Sequence, residues 1–425
     1  MKGWKRSMFV SSNRLNGLVI DLDSFPEDFD DHWTQVASSV SILFLSQSEQ
    51  RLTAIERISS VFLTHNGTFS GFLTKRKSLV EVHNLLGMES YEVAVLSRNL
   101  DVLKYIQGMN VSTVYFFRDN FIKYEEVGNL PDFLVGSIAE INQIINGDLK
   151  GYFSEAAAII YNGSQQEFKQ GLVIVTDKEY EGRTTTIVSG GRYFSTIDIR
   201  YPIHQLSQRI IRNKDYPDSQ VTLFSSIYND LVRFIEEQLE QVDILTRIPP
   251  RPSQQNDRMI ECVNYICSQK AHIQNATRLL TCSRDYQSQK SLNQEQRLSN
   301  IQGVFEVTGS FEGRHVVILD DVISTGSTAL EAAKEFYEAG AMRVTILVLA
   351  INQFRNSMIT NPLKCQCGNE LKMRFNRNNN SAFFGCSNYR VCNNRPLDFV
   401  AGVKAYNHLN KVDLNSEEFE DTEWF

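Results

Sequence analysis

Two clusters of residues could do chemistry. The first is the run Val316-Val317-Ile318-Leu319-Asp320-Asp321-Val322-Ile323-Ser324-Thr325-Gly326-Ser327-Thr328. Four apolar residues read as a buried strand, two acids end it, and a turn of small residues leads into a helix expected to begin near Ala329. The unpaired N–H groups at such a helix start converge on one point and, with the helix dipole, suit a phosphate. Hydroxyls of Ser324, Thr325, Ser327 and Thr328 add hydrogen bonds, and Gly326 permits positive φ and close approach of a ligand. Two carboxylates beside a phosphate need hydroxyls or a divalent cation to hold, and a ribose diol with Mg²⁺ supplies both. The second cluster is Cys365-x-Cys367 with Cys386-x5-Cys392. Four thiolates on two knuckles suit a structural Zn²⁺, which would supply folding energy that so short a segment cannot draw from a core.

The whole thirteen-residue run resembles the phosphoribosyl pyrophosphate (PRPP) signature of type I phosphoribosyltransferases. The resemblance implies that Asp320 and Asp321 hold the ribose 2′- and 3′-hydroxyls and that Thr325–Thr328 hold the 5′-phosphate. Upstream, Gln289, Leu292, Arg297, Asn300 and Phe305 follow a spacing similar to the segment before this loop in ComF-like, competence-associated phosphoribosyltransferases, and Tyr201-Pro202-Ile203-His204 resembles the beginning of their domain. This implies a hood across the site over 277–299 and a pyrophosphate loop at Pro249-Pro250-Arg251-Pro252, where Arg251 and Arg258 would neutralise the leaving group. The Arg-Gly-Phe-Asn-Gln run expected at that loop is absent. Mg²⁺ would accompany PRPP, and the chemistry implied is displacement of pyrophosphate at ribose C1, driven by positioning and charge neutralisation.

The cysteine segment resembles a topoisomerase-type C4 zinc ribbon, with Cys365, Cys367, Cys386 and Cys392 as the implied ligands and C-x-C in place of the usual C-x2-C. Basic and aromatic side chains alternate there, and Arg374, Arg377, Phe384, Tyr389 and Arg390 are the expected contacts to single-stranded DNA or to RNA, through phosphates and base stacking.

The elements that must position these groups are those of two α/β domains. In residues 1–155 the runs 18–22, 41–45, 61–63, 93–96 and 114–117 read as strands, and 31–40, 79–86 and 100–107 as helices. That alternation predicts a parallel sheet. The text Val61-Phe62-Leu63-Thr64-His65-Asn66-Gly67-Thr68 resembles the first motif of haloacid-dehalogenase (HAD) fold phosphatases, with Thr64 and Asn66 where carboxylates are needed. This register implies a degenerate, non-catalytic domain. A second register, Ile20-Asp21-Leu22-Asp23-Ser24 with Ser46 ending the next strand, keeps both acids but lacks the following Gly-Thr. Residues 170–352 predict the phosphoribosyltransferase domain: a hairpin of 171–176 with 184–189, a long helix over 220–241, and strands at 242–248, 303–307, 316–319 and 343–349. The strand end Leu349-Ala350-Ile351-Asn352-Gln353 carries no evident code for an acceptor. Residues 362–397 form the ribbon, and 398–425, with five acids after residue 416, reads as a solvated acidic tail.

The 425 residues carry 43 Lys+Arg against 50 Asp+Glu and are 42% hydrophobic, a mix that excludes wholesale disorder. Seven cysteines in this length make no disulfide framework. No apolar run approaches the ~20 residues of a membrane span, and the polar start predicts a cytoplasmic protein with no membrane partner. Two functions fit: a PRPP-dependent transferase linked to nucleic acid, or a non-catalytic PRPP- or nucleotide-sensing DNA-binding protein in DNA uptake, stress or phage defence.

Overall fold

A computed structural model describes residues 15–36, 38–56, 62–64, 84–89, 92–107, 112–117, 122–146, 173–216, 220–287, 299–353, 361–379 and 381–410. Residues 65–69 of the first HAD register, Gln289, Leu292 and Arg297 of the hood, and the acids after 416 lie outside the described residues.

The N-terminal domain is the expected parallel sheet. Its strands are β1 (Gly17–Asp21), β2 (Ser41–Ser46), β3 (Phe62–Thr64), β4 (Val93–Ser97), β5 (Ser112–Phe116) and β6 (Phe133–Val135), in the order β3-β2-β1-β4-β5-β6 and parallel throughout. The helices are α1 (Glu49–Ile55), α2 (Leu100–Gln107) and α3 (Ile138–Asn146). The helix expected over 31–40 is instead a 3-10 segment, Glu27–Gln35, that starts after Pro26. Phe29 and Trp33 pack there with Phe25, Phe44 and Phe116. Arg51 fixes the segment by binding the carbonyls of Leu22 and Phe25 and the Asp30 carboxylate, which the local text could not show.

The second sheet contains β7 (Ile174–Tyr180), β8 (Arg183–Ser189), β9 (Arg192–Tyr193), β10 (Ile244–Arg247) and β11 (Gln274–Asn275). A small antiparallel pair, β12 (Leu280–Cys282) with β13 (Phe305–Val307), lies apart as the base of the hood. The sheet is completed by β14 (His315–Ile323) and β15 (Arg343–Asn352), in the order β11-β10-β14-β15-β8-β7 with β9 beside β15. Only the β7–β8 hairpin is antiparallel in this sheet. The helices α4 (Gln205–Asp215), α5 (Val221–Gln238) and α6 (Ile260–Gln269) cover one face. Helix α7 (Ser327–Glu338) covers the other.

The two domains share one core. Val19, Leu43, Val95 and Leu134 of the first sheet pack in the same cluster as Ile174, Ile187, Ile323, Leu330 and Ile346 of the second. Asp132 and Arg192 form an ion pair at 3.5 Å across this junction, 4% and 2% exposed. No helix among the described residues is long and apolar enough to cross a membrane.

The cysteine module is a three-stranded antiparallel sheet, β16 (Leu371–Phe375), β17 (Ala382–Cys386) and β18 (Leu397–Asp398). Residues assigned to the acidic tail continue it. Helix α8 (Phe399–Leu409), capped by Asp398, lays Gly402, Val403 and Tyr406 onto β17 and the loop before α4. The module therefore runs to residue 410, and the i, i+4, i+7 spacing of Phe399, Val403 and Tyr406 was the signal for it.

Candidate active site and metal centre

Strand β14 is longer than its sequence suggested. Val316–Leu319 are fully buried between β10 and β15, and the strand runs on through both acids to Ile323. In an open parallel sheet the crevice at the carboxyl ends of the strands is where ligands bind. Asp320 and Asp321 stand there, over a cavity of about 220 Å³ lined also by Pro249, Pro250, Arg251, Arg258, Tyr286 and Thr328.

The carboxylates are held by their own backbone. Asp320 Oδ1 accepts the Asp321 N–H at 2.8 Å, and Asp321 Oδ1 accepts the Val322 N–H at 2.7 Å. Buried Tyr228 of α5 donates its hydroxyl to the Asp320 carbonyl at 2.6 Å and fixes the strand end. Burial, and then the charge of Asp321, push Asp320 up from the ordinary 3.8 to about 7. Asp321 meets two cations, Lys214 Nζ at 3.2 Å and Arg258 Nη1 at 3.5 Å. Such a pair suits a ligand that brings a divalent cation or hydroxyl donors.

Ser324, Thr325 and Gly326 make the turn, and α7 starts at Ser327, two residues before the expected Ala329. Gly326 has φ +86°, and a Cβ there would lie 3.2 Å from Ile323 Cδ1 and 3.4 Å from Leu330 Cδ1. Only glycine suits that position. Thr325 Oγ1 lies 3.1 Å from Ser327 Oγ, and Ser327 and Thr328 open the first turn of the helix.

Arg251 lines the cavity, but its Nη1 donates to the Tyr286 carbonyl at 2.8 Å and its guanidinium lies 5.3 Å from the Tyr286 ring. Ser253 donates from its N–H and hydroxyl to Asp285 at 3.1 and 2.7 Å. Loop and hood are thus tied together. No peptide bond among the described residues is cis. Among the residues the sequence reading missed, two are cations. One is Lys214, more than a hundred residues before its carboxylate. The other is Arg247, whose Nε and Nη2 reach Asp257 Oδ2 at 2.8 and 2.7 Å and set the start of α6. Gln353 is not at the ligand crevice: its amide donates to the Val127 carbonyl and accepts from the Leu130 N–H in the domain junction.

All four C-terminal cysteines meet. Their Sγ atoms lie within 4.8 Å of one another, with Cys365–Cys392 at 3.6 Å and Cys367–Cys386 at 3.5 Å. A tetrahedral ion with Zn–S bonds near 2.3 Å separates sulfurs by about 3.8 Å, so the donor set fits Zn²⁺. The short C-x-C closes because Gly368, at φ +84°, returns its N–H to the Cys365 carbonyl at 2.8 Å. Asn369 and Asn394 donate side-chain amides to Cys367 and Cys365, both at 3.4 Å, which explains part of the asparagine richness. Hydrogen bonds from Asn369 hold the Cys367 thiol down, at about 6.

The basic face is partly as expected. Arg377, Arg390 and Tyr389 are exposed, and the Arg374 guanidinium covers the Tyr389 ring at 4.6 Å. Phe384 is a correction: it is 2% exposed and lies against Gly402, whose added Cβ would fall 2.0 Å from its ring. It is the module's core and cannot stack on a base.

In the N-terminal domain the first HAD register falls on the edge strand β3, which Thr64 ends. The second falls on β1, where the strand order reverses. Asp21 ends β1 and accepts the Ser97 hydroxyl at 2.7 Å, and Asp23 accepts the Ser46 hydroxyl at 2.6 Å, so each carboxylate meets the end of a flanking strand. Burial pushes Asp21 up to about 6.

Comparison with known proteins agrees with the centre of this picture. Residues 272–368 match the phosphoribosyl transferase domain family. The DNA utilization protein YhgH of Escherichia coli O157:H7 is 35% identical over 78 residues, which are 18% of this chain and 34% of that protein. The same protein of Escherichia coli strain K12 gives the same figures. The match thus spans about a third of these relatives' length. A solved structure, of Leishmania donovani UMP synthase, is 13% identical with 82% of this chain and 86% of that chain covered, at a TM-score of 0.24, too loose for any argument about shape. The family match holds β14, the turn and α7 but not Lys214, Arg251 or Arg258. Residues 272–368 therefore carry a phosphoribosyltransferase-type segment, set in a largely parallel α/β sheet with the acid pair toward the carboxyl end of a central strand.

Proposed function

We propose that the chain binds PRPP at Asp320 and Asp321 and transfers its phosphoribosyl group, displacing pyrophosphate at ribose C1. The observation that carries this reading is the acid pair at the end of β14, facing a cavity to which Arg251 and Arg258 contribute and beside a glycine turn that opens α7. Asp320 and Asp321 would take the ribose hydroxyls, Ser324, Thr325, Gly326, Ser327 and Thr328 the 5′-phosphate, and Arg251 and Arg258 the pyrophosphate. Bound with PRPP, Mg²⁺ would supply neutralisation of the departing pyrophosphate, and the acid pair lies where it could be held. The cysteine module, with Zn²⁺ on its four thiolates, would contact nucleic acid through Arg374, Arg377, Tyr389 and Arg390.

Pyrophosphate release from PRPP with Mg²⁺, with and without nucleobases and single-stranded DNA, tests this. Release that needs an acceptor and is lost in Asp320→Asn/Asp321→Asn supports transfer. The second reading, a PRPP- or nucleotide-sensing DNA-binding protein without turnover, is favoured by one contact: Arg251 is already engaged by Tyr286. The name of the relatives, DNA utilization protein, suits either reading. No release, with PRPP raising the melting temperature of the wild type alone, selects the sensor.

For the N-terminal domain the HAD resemblance is kept in its second register, because Asp21 and Asp23 stand at the reversal of strand order. Mg²⁺-dependent hydrolysis of p-nitrophenyl phosphate, lost in Asp23→Asn, would support a phosphatase site. Wild-type inactivity leaves the degenerate reading.

A further inference from the structure

Helix α4 lies between the cysteine module and the acid pair. On the module side, the Arg209 guanidinium, 1% exposed, lies 3.9 Å from the Phe375 ring of β16, with Gln220 Oε1 at 3.3 Å. A buried guanidinium needs such partners, since desolvating it alone is costly. On the pocket side, Lys214 reaches Asp321 at 3.2 Å. Lys214 lies five positions after Arg209, which turns the helix by about 140° and advances it about 7.5 Å. One short helix therefore presents one cation to each neighbour.

The start of α4 belongs to the module's core. Phe194, Ile199 and Ile203, which lead into it, pack with Met373, Phe384 and Val403, and Tyr406 donates its hydroxyl to the Ile199 carbonyl at 3.0 Å. His204 caps the helix by accepting the Ser207 N–H at 3.2 Å, and the Ser207 hydroxyl accepts the Phe194 N–H at 2.8 Å. Phe375 ends the strand whose other end, Leu371, pairs with the cysteine-cluster residue Cys386. Contacts thus run from the cysteine cluster through β16 to Arg209, and helix α4 itself links Arg209 to Lys214.

We propose that Lys214 is a ligand-binding cation of the Asp320–Asp321 pocket and that the cysteine module sets its position through α4, so that metal in the module and a phosphoribosyl diphosphate in the pocket reinforce each other's binding. This rests on the phosphoribosyl reading of the pocket. When a cation or diol occupies Asp321, the Lys214 ammonium is released from its carboxylate beside the new phosphate charge. Coupling of this kind is reciprocal: whatever factor the metal contributes to ligand affinity, the ligand returns to metal affinity.

The test uses the full chain and two readouts. Calorimetric titration with PRPP and Mg²⁺ compares wild type, Lys214→Ala, Lys214→Arg and Phe375→Leu. Zinc release to a coloured chelator is followed in the wild type with and without PRPP. Expected are affinity weaker by about tenfold in Lys214→Ala, recovery of most of it in Lys214→Arg, weakening by about fivefold in Phe375→Leu, and slower zinc release with PRPP present. Wild-type affinity in Lys214→Ala overturns its role as a ligand cation. Zinc release that ignores PRPP overturns the coupling, even if Phe375→Leu folds poorly. A wild type that binds no PRPP overturns both this proposal and the reading of the pocket.

Discussion

Asp320 carries the sharpest prediction. Its carboxyl titrates near 7 in the folded chain and at about 3.8 when exposed, because burial and Asp321 both disfavour its charge. Between these values the folded chain holds a proton that the unfolded chain has lost, so this contribution makes stability fall as pH rises from about 4 to 7. Each tenfold in proton affinity is worth about 1.4 kcal/mol, which bounds the cost of ionising Asp320 at about 4 kcal/mol. That figure already includes the relief from Lys214 and Arg258, and about 2–3 kcal/mol of it falls between pH 5 and pH 7. Asp320→Asn removes the ionisation and keeps the shape. Ligand-free Asp320→Asn should therefore gain on the wild type between pH 5 and pH 8, by about 4–12 °C in melting temperature for a domain of this size. The same variant should lose all stabilisation by PRPP with Mg²⁺. Differential scanning fluorimetry across pH 5–8.5 reads both effects. A difference that stays flat with pH, or an Asp320→Asn chain less stable at pH 8, would refute the account of a strained carboxylate kept for its ligand.

Three further outcomes follow from the same geometry. Elemental analysis should find about one zinc per chain, as one tetrahedral site requires, and Cys386→Ser should abolish it and open 361–410 to protease. On single-stranded DNA, Tyr389→Ala should weaken binding by about tenfold through lost stacking, and Arg390→Ala should reduce the slope of log affinity on log salt by about 1; Phe384→Ala should instead unfold the module, visible as zinc loss without DNA. Arg192→Ala should cost about 3–5 kcal/mol by stranding Asp132 in the domain junction, and Arg192→Met with Asp132→Leu should recover much of it in denaturant titration.

How much was legible depended on whether a residue's partner lay nearby in the chain. The strand, acid pair and glycine turn at 316–328 are one local unit, so composition and order revealed them. The cysteine spacing did the same for the four-cysteine cluster, since each pair lies close in the chain. Lys214 was hidden in an ordinary polar helix end, Arg212-Asn213-Lys214-Asp215, and only the fold brings it to Asp321. Phe384 misled because an aromatic among arginines looks the same whether it stacks on a base or fills a core. The clue was distant: Gly402, where the α8 backbone meets the ring. The choice of register in the N-terminal domain followed a local Gly-Thr, and the sequence could not show that the other register, at Asp21, lies where the strand order reverses beside β1.

If the chain transfers a phosphoribosyl group, the domain junction also restricts where an acceptor can enter. At the carboxyl end of the second sheet, β9 and the last residues of β15 are covered by 127–132 of the N-terminal domain. Arg192 Nη1 donates to the Pro131 carbonyl at 3.2 Å and pairs with Asp132, while Gln353 takes the Val127 carbonyl and the Leu130 N–H. The strand end that carried no acceptor code is therefore spent on holding the two domains together. The cavity opens instead among the loop after β10, the hood residue Tyr286 and the acid pair, where Gln254 and Asn256 add side-chain amides that could read an acceptor. Helix α4 borders the same region through Lys214, with the cysteine module behind it. If transfer occurs, acceptor choice should then change with Tyr286, Gln254 or Asn256 and be indifferent to Gln353 except through stability. Comparing acceptor preference in Tyr286→Ala and Gln353→Ala decides between this arrangement and one in which the end of β15 reads the acceptor.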